Sequence, residues 1–432
     1  DSQGTSQRFW FKTAPNDLSR LSFIAGGDSR NNRTPRQNAN RLVAKLKPHA
    51  VFFGGDAINS DVDIEWQDWL DDWQLTTATD GRMFPIVPIR GNHEAAGTWE
   101  KLFDIPTVEY YAITFGNNLY KMFCLNSEIS EAGTQLTWLT NELNNSGSSI
   151  WKGAQYHKPM RPHNAAKSEG TGEYNNWAQL FYDNEVKLVV ECDSHTVKTT
   201  WPVRPSSAPG NDEGFIRDDT NGTVYMGEGC WGAQLRAADD AKSWTRNSGS
   251  FNQFKLIFVD QNCIEARTIR IDNAASVAEG SNSNPFILPT NLDVWNPGNG
   301  DVVTICQGTP LPTPSIDSST FTNGSCFDNG SAINFSIDVL DVGSGINNVN
   351  FYLEGVLIGS DYTAPYNIIH NFPSGVNTVT VVATDAAGNQ STATVVGSPD
   401  LTAPPMPVSL QVINNGQKLI GSGEPGAVVR VL

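Results

Sequence analysis

Five short polar clusters in the first half of the chain carry groups that bind metal ions: Asp28, Asp56, Asn92 with His93, His157, and Asp193 with His195. Carboxylate, amide and imidazole donors in this mixture suit Zn, Fe, Mn or, less well, Ca. A two-metal hydrolase needs one carboxylate bridging both ions and separate ligands on either side. It holds the ions about 3.5–4 Å apart, so that the attacking and leaving oxygens of an in-line displacement are both stabilised. Taken singly, each residue has a plainer reading. An Asp after Gly is usually a turn or a helix cap, and a lone His is usually packing. Repetition of the pattern at one strand end after another favours the metal centre.

The elements that must position these groups are legible from periodicity. The apolar run Leu21-Ser22-Phe23-Ile24-Ala25 ends in Gly26-Gly27-Asp28, and a helix over 34–47 follows, with Leu42, Val43 and Leu46 on one face. The next strand, Ala50-Val51-Phe52-Phe53, ends in Gly54-Gly55-Asp56 and leads to a tryptophan-rich helix with Trp66, Trp69, Leu70 and Trp73. A third strand over 84–89 runs into Gly91-Asn92-His93-Glu94, and further strand ends fall at His157 and Asp193. In open α/β sheets, working residues sit at the carboxyl ends of strands, where all these clusters fall.

A chain of 432 residues with 39% hydrophobic residues is long enough for two to four domains with packed cores. No run approaches the roughly 20 apolar residues of a membrane helix. The net charge of −17, with no basic patch, argues against nucleic acid as a partner. It also repels phosphate at long range, so an enzyme acting on phosphate needs strong local positive charge, which metal ions supply.

Composition changes near Ala275. Beyond it the chain is poor in charge, rich in Gly, Ser, Asn, Thr and Pro, and alternates as short strands, the pattern of an all-β sandwich. There are six cysteines. Cys306 and Cys326 flank a Thr/Pro/Ser/Gly-rich stretch and are expected to form a disulfide clip, the alternative being two free thiols; Cys124, Cys192, Cys230 and Cys263 lie in apolar surroundings as small buried hydrophobes. His163 and Arg161 could line the mouth of a pocket or belong to a solvated loop, whereas His49, before a buried strand, is expected to be structural.

The ordered set Gly27-Asp28, Gly55-Asp56, Gly91-Asn92-His93-Glu94, His157 and Asp193-Ser194-His195 resembles the motifs of calcineurin-like metallophosphoesterases, nearest to the purple acid phosphatase branch. The helix around Gln135-Leu136-Thr137-Trp138-Leu139 and the run from Val224 to Gly229 are similar to that branch too. Arg8 to Pro15 resembles the last strand of the fibronectin-like domain that precedes the catalytic domain there. The resemblance implies an α/β metallophosphoesterase sandwich and two divalent or trivalent ions. It makes Asp56 the bridging carboxylate, Asp28 and His195 ligands of the first ion, and Asn92, His157 and Asp193 ligands of the second. His93 is then the group that contacts phosphate or protonates the leaving oxygen. Three positions depart from the family pattern. Cys192 and Asp193 replace Gly and His. Asn59 stands where the purple enzymes carry a metal-binding tyrosine, and is the candidate to fill that position. Arg30 stands where many non-purple members have histidine, and is a candidate catalytic and substrate-binding group that could hold phosphate bidentately. Asn92 and His163 complete the substrate-binding candidates.

The segments Val349 to Gly355, Ala364-Pro365-Tyr366 and Ala383 to Asn389 resemble bacterial immunoglobulin-like repeats. The expected organisation is therefore residues 1–15 as the end of a preceding domain, 16–275 as metallophosphoesterase, 276–330 as linker, 331–399 as an immunoglobulin-like module, and 400–432 as the start of a further β repeat. The expected function is a secreted phosphoesterase that hydrolyses a phosphate-ester substrate with metal-activated water, its β modules making cell-surface or extracellular contacts. The alternative is an extracellular adhesin or assembly subunit with an altered phosphoesterase domain.

Overall fold

The computed structural model describes residues 8–306, 313–316, 333–340, 346–371, 373, 377–385, 390–397, 408–413 and 418–422. The chain divides into two compact units, Asp1–Ile305 and Cys306–Leu432.

The first unit holds two large sheets. Its strands are β1 (Leu21–Gly26), β2 (Ala50–Phe53), β3 (Ile86–Pro88), β4 (Tyr111–Phe115), β5 (Tyr120–Cys124), β6 (Trp151–Gln155), β7 (Val186–Glu191), β8 (Val197–Thr200), β9 (Val203–Pro205), β10 (Phe215–Arg217), β11 (Val224–Gly227), β12 (Thr245–Gly249), β13 (Gln253–Val259), β14 (Cys263–Arg270) and β15 (Val302–Cys306). One sheet has the order β15-β14-β13-β1-β2-β3, the other β12-β8-β11-β7-β6-β5-β4. Strands β1, β2 and β3 run parallel, as do β5, β6, β7 and β11, so each sheet brings several carboxyl ends to one edge. Helices α1 (Arg33–Leu46), α2 (Asp63–Trp73), α3 (Ala96–Phe103) and α4 (Gly133–Asn144) complete the frame.

Alternation along the strands explains the layering. Phe23 and Ala25 of β1 and Phe52 of β2 join Phe123, Ala154, Leu188, Val190 and Ile257 in one core. Their neighbours Ile24, Val51 and Phe53 point the other way, into a second core with Leu42, Val43 and Leu46 of α1 and Trp69 of α2. Trp69 and Trp73 stack at 4.7 Å, and Phe53 meets Trp69 edge-on at 5.7 Å. These strands are buried on both faces, as parallel strands covered by helices are. Truncating one of the buried aromatics, for example Phe52→Ala, removes about 3–5 kcal/mol.

Residues 8–15 precede β1, and Trp10 makes an isolated bridge to Arg82, its N–H donating to Gly81 O at 3.1 Å. Two expectations are corrected here. Residues 276–305 are not a linker: Val277, Val303 and Ile305 are buried in the cores of the first unit, and β15 extends its sheet. Cys306 pairs with Cys263 rather than with Cys326, which lies outside the described residues. The physical reason is sheet adjacency: β15 ends on Cys306 beside β14, which begins on Cys263, so partners remote in sequence meet. Cys124, Cys192 and Cys230 are buried free thiols.

The second unit is all antiparallel. Strands β16 (Thr313–Ile316), β17 (Ile333–Leu340), β18 (Ile346–Leu353), β19 (Val356–Asp361), β20 (Tyr366–His370), β21 (Asn377–Asp385) and β22 (Gln390–Gly397) form sheets of order β16-β17-β20 and β19-β18-β21-β22. Every second residue of β18 and β21 turns inward, giving a core of Phe335, Ile337, Val349, Phe351, Val379, Val381 and Ala383. Strands β23 (Val408–Ile413) and β24 (Lys418–Ser422) pair with each other.

No helix among the described residues is long and apolar enough to cross a membrane.

Candidate metal centre

The candidate ligands lie just past β1, β2, β3, β6 and β7, where the chain leaves the sheets in unusual backbone conformations. Asp28, Arg30, Asp56, Asp193 and His195 all have positive φ (58°, 39°, 53°, 66° and 54°). The left-handed region costs a residue with a Cβ on the order of 1 kcal/mol or more. Interlocking loops impose it: Asp28 N donates to Gly55 O (2.9 Å), Ser29 N and Arg30 N to Asp56 O (2.9 and 3.1 Å), and Gly54 N to Gly26 O (2.7 Å). Two glycines make room. A Cβ on Gly229 would meet Asp28 Oδ2 at 2.2 Å, and one on Gly91 would meet Asp56 Oδ1 at 2.3 Å.

Among the described residues, four groups of donors have atoms within 4.8 Å of one another. The two built wholly from the candidate ligands are Asp28, Asp56 and His195, and Asp56, His157 and Asp193; Asp56 belongs to both. A third joins Asp28 and His157 to Cys192, and the fourth is Glu169, Glu213 and Asp240. His195 Nε2 is 3.1 Å from Asp28 Oδ1, His157 Nε2 is 3.2 Å from Asp56 Oδ1, and Asn92 Oδ1 is 3.1 Å from His157 Nε2. The far nitrogens are fixed by carbonyls, His157 Nδ1 donating to Gly54 O (2.7 Å) and His195 Nδ1 to Gln234 O (2.8 Å). That leaves each Nε2 free to serve as a ligand, the tautomer control found behind metal-bound histidines.

The electrostatics are those of a cation site. Burial alone would lower the His157 imidazole, but Asp56 and Asp28 outweigh it and hold it well above its ordinary value. Burial alone would raise Asp56; His157 and His93 reverse this and hold it low. Asp28 Oδ1 is buried without a hydrogen-bond donor, an orphaned acceptor facing His195. The donor set fits metal ions, and Asp56 offers a donor to each of the two groups of candidate ligands.

His93 stands beside the groups rather than in them: Nδ1 bonds Asn59 O at 2.6 Å and Nε2 lies 3.7 Å from Asp56 Oδ2. Asn59, expected as a ligand, uses its Oδ1 to accept a hydrogen bond from Arg30 Nη2. Arg30 is thereby joined through Asn59 to His93. His163 is not at a pocket mouth. It is fully buried, with Nε2 2.6 Å from Thr245 Oγ1 and its ring against Trp244, and its N–H donates to Glu228. Its flanking prolines and polar neighbours resemble a surface loop, yet that loop folds over an internal ion network in which Lys198 lies 2.6 Å from both Glu191 and Glu228. Arg161 sits over the Tyr174 ring and donates to Glu213 O. His49 Nδ1 accepts from Ser22 N at 2.9 Å, a structural part as expected.

Three contributors were not foreseen. Glu94 accepts from the backbone N–H groups of Asp56, Ala57 and Gly91, bracing two loops at once. Burial and Asp56 push its carboxyl up to about 8. Its place in the Gly-Asn-His-Glu run was the available signal. Cys192 fills the slot over Gly27 and Gly54 and lies within 4.8 Å of the donors of Asp28 and His157. Burial pushes its thiol up to about 12. Lys167 Nζ lies 2.6 Å from Asp193 Oδ1, and no motif announces it.

Comparison with known proteins agrees with this architecture. The calcineurin-like phosphoesterase family model matches residues 30–197, a span containing all the candidate ligands except Asp28, and the bacterial Ig domain model matches residues 312–388. Among solved structures, a purple acid phosphatase isolated from yellow lupin (Lupinus luteus) seeds is similar with a TM-score of 0.54 and 14% identity, over 68% of this chain and 56% of that one. The chain thus spans about half the length of the lupin protein, and at this identity the likeness is one of fold. The structure of PhoD is also similar, with a TM-score of 0.48 and 10% identity, over 69% of this chain and 72% of that one. Comparison with curated proteins gives no match. A metallophosphoesterase domain is therefore followed by an immunoglobulin-like domain.

Proposed function

We propose that the metallophosphoesterase domain is a dinuclear, metal-dependent phosphoric ester hydrolase with Asp56 as the shared ligand. The observation that carries this reading is that Asp56 belongs to both of the donor groups built wholly from the candidate ligands. Asp28 and His195 would complete one ion's protein ligands, and Asn92, His157 and Asp193 the other's. When bound, the ions supply Lewis-acid polarisation of the phosphoryl group and lower the pKa of a water nucleophile.

The chain's own groups do the rest. The carbonyls of Gly54 and Gln234 aim His157 Nε2 and His195 Nε2 inward. Asn59 O holds His93 Nδ1, leaving Nε2, half-exposed beside Asp56, to deliver a proton to the departing oxygen. Exposed Asn92 marks the open side, whereas Asp28, Asp56, His157 and His195 lie beneath it, shielded from water. The Cys263–Cys306 disulfide and the Ig-like domain support an oxidising, extracellular setting.

One observation favours the second reading, an extracellular adhesin or assembly subunit with an altered phosphoesterase domain: the Lys167 ammonium occupies Asp193 Oδ1, a ligand atom of the second group. Elemental analysis together with steady-state hydrolysis of chromogenic phosphate mono- and diesters separates the two. The enzyme reading expects bound metal and turnover. Full metal loading without turnover on any ester would support the adhesin.

A further inference from the structure

Lys167 lies in the loop after β6. Its N–H donates to Asn164 O at 3.0 Å, closing a turn. The base of that turn is pinned: Asn164 Nδ2 donates to Ala237 O at 2.8 Å, and Ala165 N to Asp239 Oδ1 at 2.9 Å. From there Nζ reaches Asp193 Oδ1 at 2.6 Å, and the same oxygen is 3.7 Å from His157 Nε2. Contacts therefore run in sequence from His93 through Asp56, His157 and Asp193 to Lys167. The middle members Asp56 and His157 are buried, while the side chains of the two end members are each 24% exposed.

Other cations near the centre have partners of their own. Arg30 Nη2 donates to Asn59 Oδ1 while its Nε is buried without a partner, Lys158 lies 2.7 Å from Glu128, and Arg161 is engaged by Glu213 O and Tyr174. Arg236 Nη1 donates to Asp193 O, steadying the backbone behind the carboxylate. Lys167 is different in kind. It is tied to a candidate ligand, faces solvent in part, and has three N–H donors, of which Asp193 takes one. In a chain of net charge −17, a phosphate ester needs such a local cation.

We propose that Lys167 is a substrate-binding residue: tethered by Asp193, its ammonium donates to a non-bridging phosphoryl oxygen of the ester and of the phosphate product. The proposal rests on the dinuclear phosphoesterase reading and sharpens its substrate class. A phosphomonoester dianion presents one more negative charge than a diester, so a further cation at the phosphoryl group selects monoesters.

The test titrates inorganic phosphate into the metal-loaded full chain by calorimetry, with metal content measured on each sample. Wild type is expected to bind phosphate. At unchanged metal content, Lys167→Met should weaken binding by about tenfold to a hundredfold, the worth of a charge-assisted hydrogen bond, and Lys167→Arg should stay within about threefold. KM for a chromogenic monoester should rise by a similar factor in the Met variant, with a smaller change for a diester. Equal phosphate affinity in wild type and Lys167→Met overturns the proposal. So does a Met variant that takes up more metal while its phosphate affinity stays the same, since Lys167 would then be a competitor for the second ion. A wild-type chain that loads metal but binds no phosphate overturns the proposal and leaves the metal centre standing, whereas one that loads no metal overturns both.

Discussion

The two units spend backbone strain differently. In the metallophosphoesterase domain, Asp28, Arg30, Asp56, Asp193 and His195 hold left-handed conformations at strand ends, buried or half-buried, and four of them offer metal donors. In the second unit, the described residues show positive φ at Glu354 and Gly355, which form the tight connection between β18 and β19. There the conformation serves a hairpin, for which left-handed residues are the ordinary solution. At the centre it serves to turn donors from neighbouring strands toward common points, and the surrounding hydrogen bonds impose it. Burial of an ionisable group is not enough to mark a working site, since Lys47 (54°) caps α1 and Glu109 (56°) closes a turn, both buried. What sets the centre apart is that its left-handed residues offer donors to common points.

If that contrast is right, function and stability come apart in the two units. His93→Ala should lower hydrolysis by about 10²–10⁴-fold, the worth of one positioned acid or base, with metal content and melting temperature kept. Phe351→Ala should do the reverse, removing about 3–5 kcal/mol from the stability of the second unit and leaving hydrolysis unchanged. Kinetics and thermal unfolding of both variants check the pair, and a large rate loss in Phe351→Ala would break the separation.

The first unit should also carry a pH dependence of its own. Burial, with Lys12 and Arg82 nearby, lowers the His49 pKa to about 4 from the ordinary histidine value. A folded pKa below the unfolded one means that the unfolded chain takes up the proton first. The contribution is therefore full above about pH 6.5 and is lost as pH falls toward 4, on the order of 3 kcal/mol across that window. Urea unfolding at several pH values should show a slope that flattens in His49→Gln; an unchanged slope would assign the dependence elsewhere.

Gly229 and Gly355 have similar φ, 88° and 78°. A Cβ at Gly229 meets Asp28, whereas one at Gly355 meets nothing within 4 Å. Gly355→Ala should cost only about 1–2 kcal/mol of local strain, with no effect on metal affinity. Gly229→Ala carries the same strain and must also displace Asp28, so its metal affinity should fall by about tenfold or more. Metal titrations in which both variants behave alike would show that the Gly229 cradle has no bearing on ligation.

The parts of this centre written as local pattern were legible in the sequence. Apolar strand, glycine and acidic residue recur at Asp28 and Asp56, and period-2 alternation marks β18 and β21, because burial on fixed faces leaves a trace in residue order. Contacts between remote segments leave none. Cys263 meets Cys306 only because β15 returns to the sheet edge, and Lys167 meets Asp193 only because its loop is pinned to residues 237 and 239. His163 misled for the opposite reason: its neighbours are polar in sequence, and the fold buries them over a charged network that composition does not reveal.

If a single carboxylate, Asp56, joins two metal ions as proposed, elemental analysis of wild type and Asp56→Ala, each purified with the same metals and checked for native circular dichroism, will show it. Two ions per wild-type chain and none in the variant is the predicted result. An Asp56→Ala chain that folds and still holds an ion would contradict it, because the two sites would then not depend on a common ligand.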